Sequence, residues 1–158
     1  MRPTDDEYRA MFQAEYPPVF RTIRLMVGNR QTAEDVVQEA FSRLFVNWRK
    51  VSRYDRPGAW VRRVAIRIAS RARTPRSAVQ PDPSVPPPDP EVTDVRLALL
   101  ELPTNQRAAI VLRYYEDRPV AEIAALMGCS DGTVKTHLHR ARAKLAQLLG
   151  EEVPDATR

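Results

Sequence analysis

Lys135, Thr136, His139 and Arg140 share one face of a helical stretch near the C-terminus, opposite an apolar stripe of Val134, Leu138, Ala141 and Leu145. A face of this kind suits base recognition. Lys and Arg can donate to guanine N7 and O6, and Thr can meet a thymine methyl or a phosphate. Arg142, Lys144 and His137 fall on its flanks, where phosphate contact fits better. Ser130 or Asp131 caps the N-terminus, and Gly132 and Thr133 leave the first turn open to an anion. A short apolar helix from Val120 and a glycine turn at Gly128 precede it. Helix, small turn and basic second helix together predict a helix-turn-helix. The alternative is an amphipathic terminal helix with a solvated basic face.

A second cationic element lies in the first half. Arg62, Arg63, Arg67, Arg71 and Arg73 fall within a stretch from about Ala59 to Arg73 that holds no acidic residue. Arg63, Arg67 and Arg71 recur every fourth position, so they repel one another on one face of a helix. An external phosphate backbone would neutralise them. A third element, Ala33-Glu-Asp-Val-Val-Gln-Glu-Ala-Phe41, sets Asp35, Gln38, Glu39 and Ser42 opposite a Val37/Phe41 stripe. It fits a solvated surface and a dock for a basic protein equally well.

No catalytic constellation is present. His137 and His139 are two apart on a helix and diverge, which makes them poor joint metal ligands. Cys129 is the single cysteine, so no internal disulfide exists, and it reads as a small half-buried turn residue. Glycine is scarce and no phosphate-binding loop occurs. No cofactor is expected and no enzymatic activity. The polar, acidic N-terminus is unlike a secretory signal, and no apolar run reaches the ~20 residues of a membrane span, so a cytoplasmic protein is expected.

These elements must be carried by an all-α fold, because no segment alternates with period two. In the first half, Thr4 and Glu7 form a capping box. Tyr8, Met11 and Phe12 follow at helical spacing. Pro17-Pro18 restart the chain, and Phe20, Ile23 and Met26 lead to a stop at Gly28-Asn29. Thr32 caps a long helix with Val36, Val37, Ala40, Phe41, Leu44, Phe45 and Trp48 inward. The arginine helix buries Trp60, Val61, Val64, Ala65 and Ile68. In the second half, Val95, Leu99 and Leu102 mark one helix ended by Pro103. Thr104 caps the next, with Ala108, Val111, Leu112 and Tyr115 inward.

The chain of 158 residues has a net charge of +5, unevenly spread. Residues 1–76 carry sixteen Lys/Arg against eight Asp/Glu, whereas 103–158 carry eight against seven. The basic excess therefore lies away from the helix-turn-helix. Between the halves, Thr74 to Pro90 holds seven of the fourteen prolines. Such a segment is semi-rigid and extended, at ~3.1 Å per residue, and spans on the order of 50 Å. We expect two small helical domains, 1–73 and 92–150, a proline-rich linker at 74–91 and a tail at 151–158, with no need for the halves to touch.

In order and spacing these motifs resemble the extracytoplasmic-function group of bacterial RNA polymerase sigma factors, within the sigma-70 family. Ala33 to Phe41 resembles the family's polymerase-docking helix. Pro57-Gly-Ala-Trp-Val-Arg-Arg-Val-Ala65 resembles its promoter −10 helix. Leu102-Pro-Thr-Asn-Gln-Arg-Ala-Ala-Ile-Val-Leu-Arg-Tyr-Tyr115 with Gly132-Thr-Val-Lys-Thr-His-Leu-His-Arg-Ala-Arg142 resembles its −35 domain. The resemblance covers nearly the whole chain. It implies a non-enzymatic initiation factor that binds core polymerase, recognises −35 and −10 elements and assists opening.

By the same resemblance, Asp35, Gln38, Glu39 and Phe41 would bind polymerase at the β′ coiled coil, with the β flap as a second contact. Arg53, Tyr54, Arg56, Trp60, Arg62, Arg63, Arg67 and Arg71 would meet −10 DNA, where the loop helps capture a flipped base of the single non-template strand. Thr133, Lys135, Thr136, His139, Arg140, Arg142 and Lys144 would read the double-stranded −35 element. The linker, with Asp82, Asp89 and Glu91, would thread through polymerase. An anti-sigma factor is a further partner the resemblance allows. One departure stands out: Arg67 follows where the family usually carries Asn. A stand-alone regulator dimerising on a palindrome is the rival, but no dimerisation helix is evident. A protein–protein adaptor would leave the arginine stripe without a role.

Overall fold

Thr4 starts the first helix by accepting the Glu7 amide while the Glu7 carboxylate accepts the Thr4 amide, at 3.2 and 2.8 Å. That reciprocal cap satisfies two of the four donors that a helix start leaves without partners. In the computed structural model, which describes residues 4–72 and 90–150, helix α1 then runs Asp5–Val27 without interruption. The restart expected at Pro17-Pro18 does not occur. Each proline removes an internal hydrogen bond, but the turns beyond them bury Val19, Thr22, Ile23, Met26 and Val27, and Tyr16 stacks on Phe20 at 6.0 Å. Packing of that face outweighs the local propensity. Gly28 ends α1 in the left-handed region at φ 70°, which glycine reaches without a Cβ penalty.

Helix α2 spans Arg30–Val46 and is capped by Asn29, not by Thr32. Asn29 Oδ1 accepts from the Thr32 amide at 2.9 Å and from its hydroxyl at 3.2 Å. Asparagine directly after the helix-ending glycine is the stronger cap, and Thr32 is its donor. A four-residue helix α3, Trp48–Val51, leads to a loop. Helix α4, Pro57–Arg71, begins two residues earlier than expected because Pro57 occupies the first turn. There its fixed φ is already helical and its missing N–H costs nothing. Val61, Ala65, Ile66 and Ala69 of α4 pack with Val36, Val37, Ala40 and Leu44 of α2 to form the core of this half.

The second half comprises α5 Pro90–Leu100, α6 Thr104–Ile110, a π-helical turn Val111–Tyr115, α7 Val120–Met127 and α8 Asp131–Leu149. Pro103, not Thr104, occupies the cap position of α6. Tyr115, expected inside, is 52% exposed. The π turn explains this, since the Glu116 amide reaches back five residues to the Val111 carbonyl at 3.0 Å. The wider turn keeps Val111 and Leu112 in the core and rotates the following residues outward. Val95 is also exposed, and α5 contributes Ala98 to the core instead. Of the linker read at 74–91, only Pro90 and Glu91 fall among the described residues, as the start of α5. The tail at 151–158 and Arg73 lie outside them, as do Asp82 and Asp89. No strand occurs among the described residues.

The halves meet, although the length of the linker does not require it. α1 and α4 of the first half pack on α6, the π turn and α7 of the second. Arg107 is 1% exposed and donates from Nε to the Met26 carbonyl at 2.9 Å. It also reaches the Leu100 carbonyl at 3.5 Å. Met26 lies in the last turn of α1, where helix carbonyls lack partners and a cation is favoured. Burial and the neighbouring Arg24 pull the Arg107 pKa down, but a guanidinium starts so high that it stays charged.

Ser130 caps α8, with its Oγ accepting the Thr133 amide at 3.1 Å. Ser130→Ala removes that acceptor and is expected to cost about 1 kcal/mol, measured as a lower thermal midpoint by circular dichroism. An unchanged midpoint would mean that water replaces the cap.

Candidate nucleic-acid interface

The helix-turn-helix forms as α7, a turn and α8. Gly128 ends α7 at φ 72°, where any side chain is strained. A Cβ there would also stand 3.3 Å from Arg71 Nη2. Val134, Leu138, Ala141 and Leu145 are buried as predicted, which turns Lys135, Thr136, His139 and Arg140 outward. Thr133 and Lys144 are exposed too. The Thr136 hydroxyl donates to the Gly132 carbonyl at 3.0 Å, so its oxygen remains free to accept. The Thr133 hydroxyl pairs with that of Ser130 at 2.9 Å.

Arg142 differs from the sequence reading. It is 9% exposed and lies with the buried stripe of α8, so it presents no flank to phosphate in this conformation. Its position follows Ala141 and falls four residues after Leu138, which carries it onto the inner edge. His137 is half-buried. Burial first, and then the Arg140 charge, hold its pKa below the ordinary imidazole range. Its contribution at neutral pH is therefore that of an uncharged ring.

On α4, Arg63, Arg67 and Arg71 are exposed along one face, as their spacing predicts. Arg62 is turned toward the second half and pairs with Glu116 at 3.5 Å. Trp60 packs half-buried against the core. Arg53, Tyr54 and Arg56 are exposed on the loop before α4. Arg53 and Tyr54 line an open depression together with Arg49 and Lys50 of α3. The last two were not singled out from the sequence. The Arg-Lys pair directly before the loop was the available signal, but a four-residue helix has too few turns to show a face. Cations around an aromatic ring suit a stacked base and its phosphate.

The acidic face of α2 is exposed at Asp35, Gln38 and Glu39. Glu39 shares its charge with Arg43 at 2.9 Å, whereas Asp35 accepts from the neutral Gln31 amide at 3.0 Å. Asp35 is thus the better anion to offer a partner. Phe41 is 2% exposed, with its ring 4.9 Å from Phe12 and 5.7 Å from Tyr16. It supports the face from beneath. Phe45, expected in the core, is exposed at the end of α2 beside Val46, and Tyr8 meets its ring edge-on at 5.2 Å. Among the described residues no group of His, Cys, Asp and Glu is placed to hold a metal ion. No helix there is long and apolar enough to cross a membrane.

Two family models match the chain: sigma-70 region 2 over residues 11–77 and sigma-70 region 4 over residues 93–145. The RNA polymerase sigma-E factor of Streptomyces avermitilis is 30% identical over 95% of this chain and 89% of its own length. The ECF RNA polymerase sigma factor SigW of Bacillus subtilis is 28% identical over 83% and 82%. Among solved structures, the sigma factor RpoE of Bartonella quintana, in complex with the anti-sigma factor NepR, is similar in fold. It has a TM-score of 0.64 and 20% identity, covering 93% of this chain and 99% of that one. CnrH in complex with the cytosolic domain of CnrY has a TM-score of 0.61 and 23% identity, covering 93% and 90%.

Proposed function

Since this chain belongs to the extracytoplasmic-function group of the sigma-70 family, we propose a division of its initiation work among three surfaces. As a sigma factor it binds core RNA polymerase and recognises promoters at the start of transcription. Factors of this family are initiation factors, not enzymes. The 1–73 half takes the −10 element and the polymerase, and the 92–150 half takes the −35 element. The α2 face of Asp35, Gln38 and Glu39 docks on the β′ coiled coil, with Phe41 holding it from within. Arg63, Arg67 and Arg71, with the Arg49–Tyr54 depression, hold the −10 region, where the non-template strand is single. Lys135, Thr136, His139 and Arg140 read the −35 major groove, and the β flap supports that half.

One observation carries this reading. A single chain exposes two cationic helix faces, on α4 and α8, and a separate anionic face on α2. A self-sufficient regulator needs no such third face. An anti-sigma factor is a further proposed partner, as RpoE of Bartonella quintana has one in its solved complex.

The test is run-off transcription with purified core polymerase and mapping of the start site. Specific initiation is expected. Footprinting of an operator without polymerase, and no initiation with it, would reverse the reading in favour of a stand-alone regulator. Asp35→Arg is expected to weaken core binding about tenfold, some 1.4 kcal/mol, with an unchanged thermal midpoint because the residue is exposed. Unchanged affinity in a holoenzyme titration removes Asp35 from the dock.

A further inference from the structure

The two DNA-reading elements touch each other in this structure. The guanidinium of Arg71 on α4 lies against Gly128 in the turn of the helix-turn-helix. Promoter −35 and −10 elements are separated by roughly 55–60 Å of B-DNA at about 3.4 Å per base pair. The packed halves therefore cannot read both elements at once. Opening must precede or accompany promoter binding, and the contacts across the seam set how easily it happens.

Glu116 is the anionic centre of that seam. Its side chain is 8% exposed at the end of the π turn. One carboxylate oxygen accepts the hydroxyl of Thr22, a residue 1% exposed on α1. The other lies 3.5 Å from Arg62 of α4 and 3.8 Å from Arg118 of its own half. Glu116 thus holds two helices of the first half from the second. It meets Arg62 as a phosphate oxygen would, with an anion facing a guanidinium. Thr22 and Arg62 are 94 and 54 positions away in sequence, so the contact exists only when the halves close.

We propose that Glu116 is a latch that keeps the halves closed by occupying Arg62, and that promoter DNA releases it by taking the same arginine. The inference rests on the sigma reading for the identity of the competing polyanion. The closed form then taxes activity. If only about one molecule in ten is open, freeing the latch raises apparent affinity for promoter-bound polymerase up to about tenfold.

The test uses the full chain carrying Cys129→Ser, with donor and acceptor dyes on cysteines placed at exposed Val46 and Leu148. Energy transfer reads closure directly. Glu116→Lys sets a third cation beside Arg62 and Arg118, and Thr22→Val removes the donor while conserving shape. Circular dichroism confirms that each variant is folded. Expected is high transfer in the parent, lower transfer in both variants, and several-fold more run-off transcript at limiting protein. Equal transfer in parent and folded variants overturns the latch. Lower transfer with unchanged transcript overturns the competition with DNA. Absence of transcript from every form, with transfer still set by Glu116, supports the latch and rejects the sigma reading instead.

Discussion

Alanine at both Arg63 and Arg67 is expected to cut promoter-complex affinity about thirtyfold while leaving the fold intact. Both side chains are exposed on one face of α4, and neither is needed by the core. Each charge-assisted contact to a phosphate contributes about 1 kcal/mol after water is displaced, so two amount to about 2 kcal/mol, or roughly thirtyfold. The salt dependence is the sharper readout. Each lost phosphate contact flattens the slope of log affinity against log salt by about 0.7 for single strands and 0.9 for duplex. The double variant should lower it by about 1.4–1.8. Thermal stability should hold or rise slightly, because residues four apart on a helix repel when alike in charge. If the stripe is only a solvated face, affinity and slope both stay where they were. A filter-binding series over ionic strength with reconstituted holoenzyme decides between them.

Leu138→Ala is expected to be the most damaging single truncation in the second half. Leu138 is fully buried among the residues that fix α8 against α6 and α7. Loss of a buried leucine costs about 2–5 kcal/mol, through lost transfer energy and the cavity left behind. Small domains have about 5–15 kcal/mol in all, so α8 loses much of its anchorage. The expected result is a thermal midpoint lower by at least roughly 6 °C, taking about 3 °C per kcal/mol for a chain of this size. Transcription from promoters that depend on a −35 element should fall with it. The exposed Leu148 on the same helix is the control. A comparable loss from Leu148→Ala would show that the effect is not one of core packing.

Much of the site was legible because its signals are local. The stripe Val134, Leu138, Ala141 and Leu145 fixes which way α8 faces, and with that the outward set Lys135, Thr136, His139 and Arg140. The recurrence of Arg63, Arg67 and Arg71 does the same for α4, and the Thr4–Glu7 cap needs no knowledge of the rest of the chain. Errors arose where a local rule met a competing one. Asn29 outranked Thr32 as a cap, α1 ran through two prolines because its far end is buried, and a π turn rotated Tyr115 outward. Phe41 is buried as its place in the apolar stripe predicts, whereas helical spacing puts Arg142 on a flank without saying how far the neighbouring helices cover that edge.

Amino-acid order alone therefore determined the helical class, the two cationic faces, the acidic face and the family resemblance. The helical class and the three charged faces follow from the 3.6-residue period and from side-chain charge, and the resemblance from the order and spacing of the motifs. Tertiary structure alone decided that the halves close on each other through Arg107 at Met26 and Glu116 between Thr22 and Arg62. It also gathered Arg49 and Lys50 with Arg53 and Tyr54. Periodicity reports which face of a helix seeks cover, but not which distant segment supplies it. A buried cation or anion finds its partner only when both chains of contacts are in place, and that depends on packing across the whole molecule.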